Sequence, residues 1–518
     1  MAPNTLIASL LLLSSSALSS PTPYPNPLIW KSCGPDTPPN VDCAKLKVPI
    51  DYDHPANGDL TLNLARVKAS AAGGSTSAGD LLVNFGGPGV SGSAIMFAQG
   101  SLLADNAQYL PLSRELNKNF NLIAPDPRGV GLSNPTKCDM SIWNERHPNH
   151  GFVAEQEYKD LVDWTTRLSK SCADLTGPAF NFFDTASVAK DFDRIRVALG
   201  HDKLDYLGLS YGTQIGTQYA ELFPEHIGRF VLDGNLNHGE GEVPWFLGEV
   251  SSFERTLNKF FDYCKTTPSC PFYNQDFPTI FDNLINRANT NPIPAPGCLT
   301  PAEAIAKGDG ATSCRRDVTG YELLGNVQGG LLFPLGLVDG RDWALLAENL
   351  RAAIRDNDAT NLSVQLATTN TSSPAESLFP SFSIGCLDWL HQQTQYNTVL
   401  AKEFAAVSLA PHTRGVSQAW DLETRCIGWV APTRNPQRRL DAKQLAKAPP
   451  IMLVNAAYDP ATSIAWSVDL RTQVPTAVSL YRQGAGHTSY DGYGEAQKAT
   501  DRYLIKGILP RDLTIVNS

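Results

Sequence analysis

A serine within a glycine-rich pentapeptide has a sequence setting that could support nucleophilic chemistry. Residues 208–212 read Gly-Leu-Ser-Tyr-Gly, follow an apolar run at 204–207 and precede a helical pattern that starts near Thr213. A sharp turn from strand to helix exposes the serine hydroxyl, and small flanking glycines avoid a clash in that turn. The amides at the start of the helix favour negative charge developing beside the serine. The pattern predicts Ser210 as a nucleophile.

A serine becomes nucleophilic at neutral pH when a neighbouring base takes its proton. His487 follows Gly-Ala-Gly at 484–486, directly after the last predicted strand, and is the strongest candidate among nine histidines. Asp459 follows a predicted strand at 451–454, which gives the chain order serine, acid, histidine. Asp233, at the end of an earlier predicted strand, remains an alternative acid. The sequence therefore predicts a triad of Ser210, Asp459 and His487.

A second glycine-rich loop lies at 86–89, after the predicted strand 81–85. Bare backbone amides at a strand end can donate to an oxyanion. We expect the two donors to be the amide of Tyr211 and the amide of either Gly86 or Gly87.

Residues 87–92 also match the dinucleotide-binding pattern GxGxxG. Pro88 removes an amide from the would-be phosphate cradle, and no acidic residue ends a second strand at the required spacing. A dinucleotide site is therefore rejected, and no cofactor is expected.

Two further pairs of polar residues are not expected to take part in catalysis or metal binding. Asp126 and Arg128 follow the predicted strand 120–124, and we expect them to pair with each other and brace the loop beneath the site. His147 and His150 are three residues apart without a further ligand cluster, so no metal site is expected.

The elements that must position these residues are short apolar runs that alternate with helical patterns. Such alternation indicates a mostly parallel, doubly wound α/β sheet. Residues 237–440 interrupt the rhythm with helix-rich sequence, which we interpret as a helical cap inserted over the sheet. The runs predict strands at 60–67, 81–85, 120–124, 204–207, 229–232, 451–454 and 477–481, and helices at 185–199 and 213–222.

The N-terminus indicates export. An apolar run at 6–13 is followed by small residues at 14–20, which is typical of a signal peptide and too short to span a bilayer. We expect a signal peptide at 1–19, an N-terminal extension at 20–44, a first core part at 45–236, the cap at 237–440 and a second core part at 441–518. The expected location is extracellular, without a membrane segment.

Ten cysteines agree with an oxidising compartment, since an even count in an exported chain favours disulfides. Short loops close most easily, so pairing between sequence neighbours is expected. Asn361 and Asn370 head glycosylation sequons. The predicted disulfides are Cys33–Cys43, Cys138–Cys172, Cys264–Cys270, Cys298–Cys314 and Cys386–Cys426.

Composition narrows the class of protein. With 42% hydrophobic and 18% charged residues, the chain is ordinary globular protein and not disordered. The net charge of −10, without a run of lysines or arginines, argues against a nucleic-acid partner. The expected partner is a short peptide or a small ester, and composition says nothing of oligomeric state.

At these motifs the chain resembles secreted tripeptidyl-aminopeptidase-like serine exopeptidases, which are related to proline iminopeptidases. The resemblance implies the α/β-hydrolase fold, a helical cap, a Ser-Asp-His triad, export, and cleavage of short peptides from a free N-terminus. Proline iminopeptidases have a histidine before the two glycines, where this chain has Asn84-Phe85. The similar segments are 41–52, 85–92, 126–133, 208–212, 458–460, 486–487 and the region from 386 to the end.

Three functions are compatible with this sequence. One is an exopeptidase acting through an acyl-enzyme on Ser210, a second is an esterase or lactonase for small secreted metabolites, and the third is a silent binding protein. The third conflicts with the complete triad. The first needs a carboxylate for the substrate's amine, and Glu240 and Glu242, where the cap begins, are the candidates.

Overall fold

The computed structural model describes residues 27–70, 79–147, 150–152, 154–308, 311–336, 342–370, 378–392, 394–492 and 494–517. The predicted signal peptide at 1–19 lies outside these residues, as does the first part of the predicted extension.

A ten-stranded, mostly parallel sheet organises the fold. Its strand order is β1-β2-β3-β5-β4-β6-β7-β12-β13-β14, antiparallel from β1 to the β3–β5 pair and parallel beyond it. Four short strands form two separate pairs, β8 with β10 and β9 with β11. The strands are β1 (Lys31–Ser32), β2 (Val41–Pro49), β3 (Asp59–Val67), β4 (Asp80–Asn84), β5 (Asn121–Pro125), β6 (Leu204–Leu209), β7 (Ile227–Asp233), β8 (Ile293–Pro294), β9 (Ser313–Cys314), β10 (Asp317–Val318), β11 (Gln365–Leu366), β12 (Ile451–Tyr458), β13 (Ala477–Ala485) and β14 (Thr514–Asn517).

Helices cover both faces of this sheet and form most of the regular structure in the described chain between β7 and β12. No helix among the described residues combines the length and apolar composition needed to cross a membrane. The helices are α1 (Gly92–Ala104), α2 (Arg114–Asn119), α3 (Met140–Trp143), α4 (Glu155–Thr176), α5 (Thr185–Ala198), α6 (Gly212–Leu222), α7 (Glu242–Thr266), α8 (Phe277–Thr290), α9 (Pro301–Lys307), α10 (Gly320–Gly330), α11 (Trp343–Arg351), α12 (Leu378–Asp388), α13 (Tyr396–Leu409), α14 (Gln418–Arg425), α15 (Ala442–Leu445), α16 (Ile464–Gln473) and α17 (Glu495–Lys506).

The central strands are apolar on both faces, which explains their continuous hydrophobic runs. In β12, Leu453 packs into one apolar layer, while Met452 and Val454 pack into the layer on the other side. All seven predicted strands and both predicted helices are present, with no end shifted by more than four residues. The predicted α/β-hydrolase fold class is thereby confirmed.

Residues 234–450, between β7 and β12, are called here the helical insertion. One of its clusters is rich in phenylalanine and is built from Phe253, Phe260, Phe277 and their neighbours. The other, the tryptophan-rich cluster, includes Trp245, Trp389 and Trp420, and also takes up Trp164 of α4 and Trp466 of α16. The insertion therefore has apolar packing of its own and shares part of it with helices beside the sheet.

The five disulfides follow the predicted pairing of sequence neighbours. Cys386–Cys426 closes the longest loop, with a sequence separation of 40, and joins α12 to the residue after α14.

Candidate active site

Ser210 lies in a sharp turn between β6 and α6. Its φ is 56°, a left-handed conformation that costs energy for any residue with a side chain. The backbone hydrogen bond from Ser210 N to Asp233 O, 2.8 Å long, holds the turn against β7. A Cβ at Gly208 would lie 2.6 Å from Gly212 O, and one at Gly212 would lie 2.7 Å from Asn84 O. The glycines of the pentapeptide are therefore required by space.

The acid and the base are in direct contact. Asp459 is fully buried just beyond β12, and its two carboxylate oxygens lie 2.9 and 3.0 Å from His487 Nδ1. Because the carboxylate accepts from Nδ1–H, the other ring nitrogen, Nε2, is left as the basic atom. This is the arrangement that a serine nucleophile requires of its base.

Asp459 stays ionised in this buried place. Burial alone would raise its pKa, but the charge and hydrogen bond of His487, together with nearby amides, hold the pKa below its ordinary value. Its oxygens accept from Ala461 N at 2.9 Å, from Thr462 N at 2.8 Å and from Thr462 Oγ1 at 2.8 Å. A fixed negative charge therefore faces the imidazole.

The histidine ring is near the serine turn. A Cβ at Gly234 would lie 3.5 Å from His487 Cε1, and Gly234 directly follows Asp233, whose carbonyl binds Ser210 N. The ends of β6, β7, β12 and β13 thus bring serine, acid and histidine to one edge of the sheet, as predicted for parallel strands.

Two buried polar side chains, those of Asp233 and Arg482, hold the histidine loop in place. Asp233, the alternative acid, accepts from the amides of Ser489 and Tyr490 at 2.7 to 3.0 Å. Arg482 Nη2 donates to three carbonyl oxygens of the same loop, at 3.0 to 3.1 Å, those of Ala485, Gly486 and Thr488. Arg482 was not predicted from the sequence, because its partners are backbone groups that leave no pattern there.

The glycine loop after β4 lies beside the nucleophile. Gly86 has φ 87°, and a Cβ there would come within 2.7 Å of Ser210 Cβ and 3.0 Å of Tyr211 N. The Gly86 amide itself donates to Asn84 Oδ1 at 3.0 Å. Two glycines were predicted as oxyanion donors. The Gly86 amide already donates to Asn84, so Gly87 remains the candidate that would act together with Tyr211.

A buried polar network stands behind Tyr211. The Tyr211 hydroxyl and the Asp388 carboxylate both hydrogen-bond to Thr185 Oγ1, and Asp388 also accepts from Asn435 Nδ2 at 2.9 Å. Burial, with the nearby charge of Asp184, raises the pKa of Asp388 to about 7. Asp388 belongs to the helical insertion and was not identified from sequence, since it sits between the apolar residues 387 and 389.

The predicted pairing of Asp126 with Arg128 is wrong. Arg128 binds Asp191 of α5 through two hydrogen bonds of 2.6 and 2.7 Å, and both side chains are buried. Asp126 instead accepts from Ser91 and Ser93 at the start of α1, at 2.7 to 2.9 Å. The helix start offers the carboxylate a backbone amide as well as hydroxyls, while Arg128 reaches a carboxylate on a different helix.

Arg128 also explains the N-terminal motif at 41–52. Its guanidinium donates to Pro49 O at 3.1 Å and Ile50 O at 2.9 Å, and Tyr52 donates to Asp191 at 2.7 Å. The motif is therefore joined to the sheet by a buried ion pair and has a structural role.

The predicted amine-binding residues have partners within the protein. Glu242 forms an ion pair with Lys402, which also lies 3.3 Å from Glu423. Glu242, His391 and Glu423 are close enough to hold a cation, but the Lys402 ammonium already supplies the positive charge there. Burial raises the pKa of Glu240, whose carboxylate hydrogen-bonds Asn237. The substrate-amine role of both glutamates stays a prediction.

The remaining sequence candidates are two histidines and two sequon asparagines. His147 stacks on Trp164 and His150 on Tyr321, and burial lowers the pKa of both histidines to about 3. Both imidazoles are therefore uncharged at neutral pH. Glycosylation stays a prediction for the two exposed sequon residues, Asn361 and Asn370.

One family model and several known proteins match this chain over most of its length. The family model described as alpha/beta hydrolase fold matches residues 81–491. Serine protease Hip1 of Mycobacterium tuberculosis is 28% identical over 502 residues, covering 93% of this chain and 90% of that protein. Tripeptidyl aminopeptidase of Streptomyces lividans is 25% identical over 499 residues, covering 92% and 84%. Carboxylesterase B of Mycobacterium tuberculosis is 28% identical over 488 residues, covering 90% and 85%.

Proposed function

Since the chain belongs to the alpha/beta hydrolase fold family, among the tripeptidyl-aminopeptidase-like serine hydrolases, we propose that it is a secreted exopeptidase. It releases short peptides or amino acids from substrates with a free N-terminus. The observation that carries the proposal is the contact of a buried, ionised Asp459 with His487, on the sheet edge that also holds Ser210.

Each residue has a defined step in this reaction. His487 Nε2 takes the hydroxyl proton of Ser210 as the serine oxygen attacks the carbonyl carbon of the scissile bond. The amides of Tyr211 and Gly87 stabilise the oxyanion of the tetrahedral intermediate. His487 then gives the proton to the leaving amine as the C–N bond breaks. Water, activated in the same way, releases the acyl group from Ser210.

Three observations support the proposed peptidase activity and the proposed export. The relatives that align with more than 90% of this chain include a serine protease and a tripeptidyl aminopeptidase. Helices α7 to α15 lie between β7 and β12, and contacts from Ser252 of α7 and from Leu332, just after α10, reach the acid and base loops. A cover of this kind favours short substrates over long chains. Five disulfides support export to an oxidising compartment.

An esterase is the second candidate, because a carboxylesterase is among the relatives at the same 28% identity as the serine protease. The triad would attack an ester carbonyl in the same way, and an alcohol would then leave in place of an amine. The two functions differ in whether the substrate needs a charged amine.

The deciding experiment compares a tripeptide anilide with its N-acetylated form and with a simple acyl ester. Acetylation removes the ammonium, and loss of one charged hydrogen bond should lower kcat/KM at least ~10-fold. Equal rates on both peptides, or faster cleavage of the ester, would favour the esterase. Ser210→Ala is the control for contaminating activity, since loss of the nucleophile costs on the order of 10⁶ in kcat.

A further inference from the structure

One segment of the helical insertion contacts both the acid loop and the base loop. Gln328 of α10 donates from Nε2 to Pro460 O at 2.9 Å, immediately after the acid Asp459. Leu332 lies four residues after Gln328, and its carbonyl oxygen accepts a hydrogen bond from the backbone amide of His487 at 2.7 Å. The two triad loops leave different strands, β12 and β13, yet meet the same stretch of insertion.

The contact with the base loop is close. Gly486 has φ 104°, and a Cβ there would lie 2.5 Å from Pro334 Cδ and 3.0 Å from Leu332 O. No side chain larger than hydrogen fits between the histidine loop and the insertion. The glycine before His487 therefore has a second explanation besides loop conformation, namely direct packing of the insertion on that loop.

A second hydrogen bond reaches the acid from helix α7. Ser252 Oγ donates to the backbone carbonyl of Asp459 at 2.7 Å, and Ser252 is buried. The insertion thus holds consecutive carbonyl groups, those of Asp459 and Pro460, by donors from two different helices.

Gln328 is itself buried and is fixed by two further partners. Its Nε2 also donates to Glu249 Oε1 at 2.8 Å, and its Oε1 accepts from Gln418 N at 3.0 Å. Glu249 in turn accepts from the amide of Ala419. Helices α7, α10 and α14 therefore converge on one glutamine whose amide points at the acid turn.

From these contacts we propose that Gln328 and Ser252 are positioning residues of the hydrolytic reaction. They act through the backbone of residues 459–460 and set the placement of Asp459 against His487. The insertion is then part of the catalytic apparatus and not only a cover over it. This inference rests on the triad assigned under the proposed function.

The test measures how fast an alkyl fluorophosphonate modifies Ser210. In this reaction the serine oxygen bonds to phosphorus, fluoride leaves and the histidine takes the proton, so the rate reports triad geometry without requiring the natural substrate. Gln328→Met keeps the side-chain length and removes the amide. Its labelling rate should fall about tenfold, the upper end of what one neutral hydrogen bond contributes. Asn326→Ala is the matched control, because the Asn326 amide bonds within its own helix, to Glu322 O at 2.9 Å.

A purely structural role would lower stability without changing how the rate depends on pH. We expect the pH midpoint of labelling to move lower in Gln328→Met, because a weaker bond to the Asp459 carboxylate stabilises the protonated imidazole less. Ser252→Ala should slow labelling three- to tenfold. If Gln328→Met does not fold, the labelling rate of Ser252→Ala tests the positioning role by itself.

The possible failures are separable. If wild-type protein is not labelled at Ser210, the triad assignment itself is wrong. If wild type is labelled, and folded Gln328→Met and Ser252→Ala react at its rate with its pH midpoint, the positioning role is overturned while the proposed function stands.

Discussion

Asp459 and Asp233 are two buried carboxylates at neighbouring strand ends with different partners. Asp459 faces the imidazole of His487, whereas Asp233 accepts from the amides of Ser489 and Tyr490. We predict that Asp459→Asn lowers kcat by ~10⁴, as in triads where the histidine is left in the wrong tautomer. Asp233→Asn should lower kcat far less, since it loosens the loop but leaves the carboxylate–imidazole pair in place.

Steady-state kinetics on the anilide substrate give this ranking, with the far-UV circular dichroism spectrum of each variant as the folding control. A larger loss in Asp233→Asn than in Asp459→Asn would transfer the role of acid to Asp233.

Glu249 is a buried acid with an unusual titration. Burial raises its pKa to about 8, against an ordinary value of 4.5, although Gln328 and the amide of Ala419 counteract this, and the charge of Asp459 adds to it. Between these pH values the unfolded chain releases the proton and the folded chain keeps it. Stability contributed by this group is therefore complete below pH 4.5 and falls as the pH rises to 8.

We predict that Glu249→Gln, which resembles the protonated acid, becomes more stable relative to wild type as the pH rises across this window. The difference in unfolding free energy should grow by a few kcal/mol at most. Urea titrations at pH 5 and pH 8.5 measure it, and other titrating groups cancel between the two proteins. A difference that is constant with pH would mean that Glu249 is ionised at neutral pH.

At the scale of elements, the sequence predicted the triad because each of its side chains follows a buried strand. Ser210, Asp459 and His487 were found because apolar runs precede them and the strand ends of a parallel sheet share an edge. Strand β2 was not predicted, because Lys45 and Lys47 alternate with apolar residues on an antiparallel strand. The short edge strand β14 lacks a continuous apolar run.

Contacts between distant segments were beyond prediction. Gln328 lies 132 positions from Pro460, and Asp388 lies 203 positions from Thr185. The partner of Arg128 is Asp191, 63 positions away, whereas the sequence favours the nearer Asp126. Each of these contacts joins buried polar groups that tertiary packing brings together, and hydrophobic periodicity carries no information about such partners.

The Cys386–Cys426 disulfide ties α12 to the end of α14 within the tryptophan-rich cluster. Closing a loop of this length is worth roughly 4 kcal/mol by chain entropy, against roughly 2 kcal/mol for the loop of Cys264–Cys270. We predict that replacing Cys386 and Cys426 by serine lowers the midpoint of thermal unfolding more than replacing Cys264 and Cys270.

Differential scanning calorimetry of the two double variants at one scan rate makes the comparison. An equal or larger loss from the Cys264–Cys270 pair would show that local packing, and not loop closure, sets the contribution of these disulfides.

The whole molecule combines a sheet packed on both faces with a helical insertion that has clusters of its own. The triad lies where these parts meet. Its three side chains come from strand ends, and its acid and base loops are also bound by Ser252, Gln328 and Leu332 of the insertion. Hydrolytic activity should therefore depend on the insertion remaining folded on the sheet.

This arrangement predicts that activity is lost before the sheet unfolds. Of the nine tryptophans, all except Trp30 belong to or pack against the two helical clusters, so intrinsic fluorescence reports mainly on the insertion and its neighbours. In a urea series, fluorophosphonate labelling of Ser210 should disappear together with the fluorescence change. Amides of β6, β7 and β12, buried between two apolar layers, should then still be protected from hydrogen exchange. Labelling that persists after the fluorescence has reached its unfolded value would show that the sheet assembles the triad without the insertion.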